Sequence, residues 1–399
     1  METDEKKAGK LEQLSTPNWD GVIQQSIRHS ITPLLYQRLE TLGPSTNIPA
    51  SVEQKLREIY IHSAARNMRL YHELSKVLRI LQNDDIPVIV LKGAALAETV
   101  YQNIALRPMG DVDLLVKKED LYRTETALLN LGYVFYKENN YHFKQHYEGE
   151  KRIAIEIHWN IDRPSSLFQI DIDGMWERAR LAKIANVEVL VLSPEDLILH
   201  LCLHVSFHHE FKIGLRFLCD ISETIQHYQD EIDWKKLQNT VNEYGIGKFI
   251  YCTLLLTKKM LGAEIPDNFL NDLKPDTFEP QILEVMQDYI LETPSLDLPV
   301  ALQQAQRKDG FPNKIVTLFR GVFPSVEKLR EIYSLPPDST KAYFYYFVRP
   351  FDLIQRKGKD MLQLVFGTQE GKLSLEREKN KVIIERWLSE TGRNPSMVD

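Results

Sequence analysis

Twenty-eight residues, Ile89 to Val116 (IVLKGAALAETVYQNIALRPMGDVDLLV), constrain this chain more than any others. Val88 to Leu91 is a short, mostly β-branched apolar run bounded by turn residues, which reads as a buried strand. Lys92-Gly93-Ala94-Ala95 breaks that strand and opens a helix over Ala95 to Tyr101. A loop holding Arg107 and Pro108 follows, and Asp111 to Val116 reads as a second strand. Side chains two apart on a strand share a face. Asp111 and Asp113 therefore point one way, and Val112 and Leu114 point the other way, into packing. Two neighbouring carboxylates repel each other unless a cation sits between them. Hard divalent ions such as Mg²⁺ take oxygen ligands of this kind, usually shared with substrate phosphates. The arrangement points to metal-dependent phosphoryl or nucleotidyl transfer, against the plainer reading of a solvated strand edge. The repulsion also predicts that Asp113→Asn stabilises the metal-free protein, by on the order of 1 kcal/mol.

Glu156 lies in Ile153-Ala-Ile-Glu-Ile-His-Trp159, a run too apolar for a surface strand. A carboxylate there needs a partner, because an unpaired buried charge is expensive. Either a cation shared with Asp111 and Asp113 or a salt bridge to Lys151 or Arg152 would supply it. Gly93 would let backbone approach a triphosphate, next to the free N–H groups and positive dipole end of a helix. Lys92 and Arg107 would add charge for phosphates, although a lysine at a strand end is as often a surface residue. His158, two beyond Glu156, shares its face and either contacts the site or is a structural, hydrogen-bonded histidine. Trp159 points to the opposite face, toward the core.

In order and spacing these parts resemble the nucleotidyltransferase superfamily of the DNA polymerase β type, and within it the bacterial group called uncharacterised nucleotidyltransferases. The Lys92-Gly93 turn, Arg107, Asp111/Asp113 and Glu156-Ile157-His158-Trp159 carry the resemblance. It spans roughly 86–220, including the His- and Asp-bearing stretch Leu199 to Asp220. It implies an α+β fold with a small mixed-sheet core, flanked by N-terminal helices and a large helical C-terminal part. It implies that Asp111, Asp113 and Glu156 are catalytic and hold Mg²⁺ or Mn²⁺, with Glu156 helping to deprotonate an attacking hydroxyl. Lys92, Gly93, Ala94, Arg107 and His158 would bind the nucleotide. The reaction would move a nucleoside monophosphate from a nucleoside triphosphate such as ATP to an acceptor hydroxyl or phosphate, releasing pyrophosphate. The acceptor stays open among peptide, protein, small molecule and RNA, with a peptide slightly favoured by analogy. Ala94 stands where the superfamily usually has serine. That departure keeps a second reading alive, a non-catalytic nucleotide-binding or interaction module on a retained fold.

The rest of the chain reads as an ordinary globular protein. Its 399 residues, 43% hydrophobic and 26% charged, suffice for a sizeable core and two or three domains. A net charge of −7 argues against broad nucleic-acid binding, so no DNA partner is expected. Cys202, Cys219 and Cys252 form no close pair and read as buried thiols in the cytoplasm. No signal peptide and no membrane-spanning run is expected, hence no membrane partner. Residues 1–16 read as a disordered tail, 17–84 as an N-terminal helical segment, 85–192 as the nucleotidyltransferase core and 193–399 as a helical C-terminal region. Within these, helices are expected over Asp20 to Leu42, Ser51 to Asn83 and Lys118 to Leu131. Strands are expected over Tyr133 to Lys137, His142 to Tyr147 and Ile153 to Trp159, the last two joined as a hairpin through Glu148-Gly149-Glu150. Ser193-Pro194 is a helix start, with breaks expected near Asp233 and Gly245, and Glu370 to Glu390 is a final charged helix.

Three further patterns stand apart. His200, His204 and His208 recur every fourth residue, with His209 adjoining. They read as a polar helix face lining the cleft, with zinc ligation the lesser alternative because no HExxH glutamate or Cys-x-x-Cys accompanies them. Arg216 and Asp220, one turn apart, either pair with each other or reach the cleft. Lys341 to Phe351 (KAYFYYFVRPF) reads as a core helix ending at Pro350, ahead of a lipid or nucleic-acid stacking surface.

Overall fold

The structure, a computed structural model, describes residues 16–42, 48–138, 142–147, 153–161, 168–291, 325–332 and 369–389, with isolated residues between 323 and 349. The expected tail, the Glu148–Glu150 turn and Lys151 and Arg152 lie outside them. The chain divides into two compact units, Met1–Phe278 and Glu279–Asp399. The fold is α+β, as expected, around one mixed sheet.

In the first unit, helices α1 (Thr16–Arg28) and α2 (Thr32–Leu42) precede α3 (Ala50–Asn83). The single helix expected over Asp20 to Leu42 is broken at Ser30, whose φ of +55° a helix cannot hold. Trp19, Ile23, Leu39, Val52 and Leu56 form a small core among these helices. The sheet contains β1 (Val88–Leu91), β2 (Asp111–Val116), β3 (Tyr133–Glu138), β4 (His142–Tyr147), β5 (Ala154–His158), β6 (Arg180–Ile184) and β7 (Val187–Val191), in the order β3-β4-β5-β2-β1-β7-β6. Strands β1 and β2 are antiparallel, β2 and β5 parallel, and β4 and β5 antiparallel as the expected hairpin requires.

Val90 on β1, Val112 and Leu114 on β2, and Ile155 and Ile157 on β5 join Leu70, Leu74, Val77, Leu78 and Leu81 of α3 in the main core. Ala127 and Leu128 of α5 (Leu121–Asn130) belong to the same core. This burial is the main force holding the sheet, at about 25 cal/mol per Å² of apolar area. It also fixes strand orientation, because a one-residue slip would turn every apolar side chain outward. The alternate positions Asp111, Asp113, Glu156 and His158 are thereby committed to the opposite face. Trp159 packs against this main core, as expected.

The hairpin β6–β7 has no counterpart in the sequence reading. Its two-residue link, Ala185-Asn186, has φ of +51° and +62°. That is the primed-turn geometry usually marked by Asn-Gly or Asp-Gly, and Ala-Asn carries no such mark. After β1, α4 (Lys92–Thr99) starts three residues earlier than expected. Ser193 caps α7 (Pro194–Leu203), accepting from the Asp196 amide, as the Ser-Pro start predicts. A π-helical turn, His204–His208, then leads toward α8 (Arg216–His227), α9 (Trp234–Tyr244), α10 (Gly247–Leu261) and α11 (Asp267–Leu273). Asp233 caps α9 and Gly245, at φ +67°, ends it, matching the two expected breaks.

The second unit holds α12 (Pro280–Leu291), α13 (Val326–Ile332) and α14 (Gln369–Ser389), the last being the expected charged helix. Arg377 of α14 donates to the Tyr289 carbonyl and lies 4.3 Å over its ring. Tyr343 and Phe344 are 59% and 66% exposed, against the core-helix expectation for Lys341 to Phe351. Successive helical residues are 100° apart, so a dense aromatic run points in every direction and cannot bury itself on one neighbour.

Candidate active site

The sheet register builds the site. Leu91 sits opposite Asp113 across the antiparallel β1–β2 pair, and Asp113 sits opposite Glu156 across the parallel β2–β5 pair. Lys92, the first residue past β1, thus emerges over Asp113. It has a left-handed backbone, φ +45°, unusual for a residue with a Cβ and enriched at functional turns. Its Nζ lies 2.8 Å from Asp113 Oδ1. His158 Nε2 donates to the same oxygen at 2.9 Å and lies 3.7 Å from Glu156 Oε2.

These side chains line a cavity of about 480 Å³ with Gly93, Arg107, Gly110, Asp111, Ile161, His200, His204, His208, His209, Arg216 and Phe217. Ala94 is the one predicted site residue that does not line it. Ala94 is buried in the first turn of α4, where its carbonyl accepts from Tyr71 at 2.6 Å. Gly93 is required sterically, since a Cβ there would stand 2.7 Å from Arg107 Nη1 and 3.0 Å from Met109 Cγ.

Burial alone would raise Asp113, but the ammonium of Lys92 and the hydrogen bond from His158 hold it well below the usual carboxylate range. Lys92 is raised in turn: burial opposes its charge and Asp113 more than offsets that. The expectation that repulsion between Asp111 and Asp113 governs the stability of Asp113 is corrected here. Lys92 is an internal cation, and Asp113→Asn would break a buried pair instead of relieving a repulsion.

Asp113, Glu156 and His158 each place a ligand atom within 4.8 Å of the other two, a grouping suited to a metal ion. Two carboxylate oxygens and an imidazole nitrogen fit a divalent cation. Asp111 shares the cavity but stands outside that tight cluster. No other three-ligand group forms among the described residues. The histidines of α7 and the π turn therefore belong to the cavity wall, without zinc-site geometry, their successive ring centroids being 6.4 and 6.3 Å apart. His208 Nε2 bonds the Ile161 carbonyl at 3.0 Å. Burial, then the charge of Lys92, holds His200 and His204 well below the usual histidine range, so both are neutral near pH 7. His200 is 3% exposed and neither ring nitrogen has a hydrogen-bond partner among the described residues.

Asp220 pairs with Arg107, not Arg216. Arg107 Nη2 lies 2.7 Å from Asp220 Oδ2, and Tyr101 donates to Oδ1 at 2.9 Å. This buried triad ties the loop before β2 to α8. Tyr101 escaped the sequence reading because nothing in its local pattern marks a partner 119 residues away. Arg216 donates to the Pro108 carbonyl at 2.8 Å and lies over Phe217. Burial, then Arg107, pushes its pKa down to about 10.

The chain belongs to a family of uncharacterised nucleotidyltransferases, whose model matches residues 15–262. No curated protein sequence matches it. Among solved structures it is similar to ANT(2'')-Ia in complex with adenylyl-2''-tobramycin, at 16% identity over 44% of this chain and 96% of that one, TM-score 0.34. It is also similar to JHP933 from Helicobacter pylori, at 14% identity over 57% of this chain and 93% of that one, TM-score 0.27.

Proposed function

From membership of that nucleotidyltransferase family, we propose that the protein moves a nucleoside monophosphate from a nucleoside triphosphate to an acceptor hydroxyl or phosphate, releasing pyrophosphate. The observation that carries this reading is the pairing of Asp113 with Glu156 across β2–β5, with His158 beside them, at the exit of the Lys92-Gly93 turn. Asp113, Glu156 and His158, with Asp111 close by, would hold Mg²⁺ or Mn²⁺. When bound, the ion supplies charge neutralisation to the triphosphate oxygens.

The chain's own groups do the rest. The first turn of α4, from Gly93 and Ala94, offers backbone N–H groups and the positive end of a helix dipole to the phosphates. Lys92 and Arg216 add positive charge on the same side, and Arg107, fixed by Asp220, holds the loop that presents Asp111. Glu156, beside Asp113 across β2–β5, is the group to accept the acceptor's proton as its oxygen attacks the α-phosphorus. His200 gives the second substrate one donor and one acceptor in an otherwise buried wall. Free thiols at Cys202, Cys219 and Cys252 support a reducing compartment such as the cytoplasm.

Calorimetric titration of Mn²⁺ with nucleoside triphosphates tests this. Wild type should bind both, and Asp113→Ala and Glu156→Ala should lose metal binding. Equal metal binding in all three proteins would reject the assignment.

A further inference from the structure

We propose that Lys92 occupies Asp113 in competition with the metal ion and leaves only when a triphosphate offers its ammonium a new partner, so that metal and nucleotide bind as a coupled pair. This rests on the nucleotidyl-transfer reading above.

Asp113 Oδ1 receives both Lys92 Nζ at 2.8 Å and His158 Nε2 at 2.9 Å, which uses the two lone pairs of that oxygen. A cation approaching Oδ1 meets a positive charge already in place. The Lys92 side chain is only 14% exposed and leaves a left-handed turn at the end of β1, so water does little to screen the contact. Displaced by metal alone, the ammonium would lose Asp113 inside a buried cavity whose other carboxylates, Glu156 and Asp111, are groups the same metal would engage, which is strongly unfavourable.

A triphosphate changes that balance. Gly93 follows Lys92 directly, and the α4 amides beside it are where phosphates would dock. An ammonium leaving Asp113 then needs only to rotate about its own side chain to meet phosphate oxygens. Each ligand thus lowers the other's barrier to binding, and linkage makes the effect reciprocal.

The experiment is a Mn²⁺ titration of the full chain by electron paramagnetic resonance, with and without a mixture of the four α,β-methylene nucleoside triphosphates. In wild type, nucleotide should tighten Mn²⁺ binding by about 10-fold or more, within the usual range of coupling between sites. Lys92→Met should bind Mn²⁺ alone tighter than wild type by a similar factor, and the nucleotide-dependent gain should shrink correspondingly. Lys92→Arg, which keeps the charge, should behave like wild type. Should Lys92→Met fail to fold, Lys92→Gln, which keeps a hydrogen bond but no charge, should show the same tightening. Mn²⁺ affinity that is unchanged or weakened in the neutral variants overturns the proposal, even with the metal site intact. Absence of Mn²⁺ binding in wild type, with or without nucleotide, overturns the nucleotidyl-transfer reading itself.

Discussion

Asp113 is where most of the site's electrostatics meet. Its carboxylate holds a lysine and a histidine on one oxygen while Glu156 lies beside it. Asp113→Asn should therefore destabilise the metal-free protein, by about 3 kcal/mol on the scale of broken buried ion pairs. Urea unfolding without metal measures it, and a gain in stability would restore the repulsion account. His200 and His204 make a second residue-scale prediction. Their folded pKa values lie well below 6.5, so below that pH the unfolded chain binds more protons than the folded one. Stability should thus be complete near neutrality and fall as pH drops below about 6.5, by on the order of 1 kcal/mol per pH unit for each histidine. Replacing His200 by phenylalanine should flatten the slope between pH 7 and 5. An unchanged slope would mean that His200 is already charged or paired.

At the scale of elements, the strand–turn–helix unit of β1 and α4 is held in place by what approaches Gly93. A methyl there would press on Arg107 and Met109. Gly93→Ala should cost about 1–3 kcal/mol through overpacking and weaken triphosphate binding with it. A melting curve and a nucleotide titration check both, and wild-type values in each would contradict the close approach. Much of this unit was legible in the sequence. A β-branched run, a Gly turn and an Asp-x-Asp at alternating positions are local signals, and they located β1 and β2 correctly. What stayed hidden depends on distant partners or on unmarked turns. Lys92 on Asp113 needs the β1–β2 register, Arg107 on Asp220 spans 113 residues, and the Ala185-Asn186 turn lacks glycine. The Arg216–Asp220 spacing left open a mutual pair or residues reaching the cleft; Arg216 lines the cavity, while Arg107 takes Asp220 bidentately.

For the whole molecule, the family match to residues 15–262 falls within the first compact unit, 1–278. All the cavity's lining residues lie there too. Residues 1–278 expressed alone should accordingly bind Mn²⁺ and nucleoside triphosphate as the full chain does, which calorimetry on both would decide. No helix among the described residues is long and apolar enough to cross a membrane. The overall charge is −7, and the cavity sets Lys92, Arg107 and Arg216 against Asp111, Asp113 and Glu156, so its own charges nearly balance. Nucleoside monophosphate transfer in this cavity can be followed by supplying the full chain with Mn²⁺, a cell lysate as acceptor source and triphosphates labelled on either the α- or the γ-phosphate. The α-label should move to an acceptor, the γ-label should leave in pyrophosphate, and Asp113→Ala should stop both. Movement of γ-label to the acceptor, with none of the α-label, would contradict it.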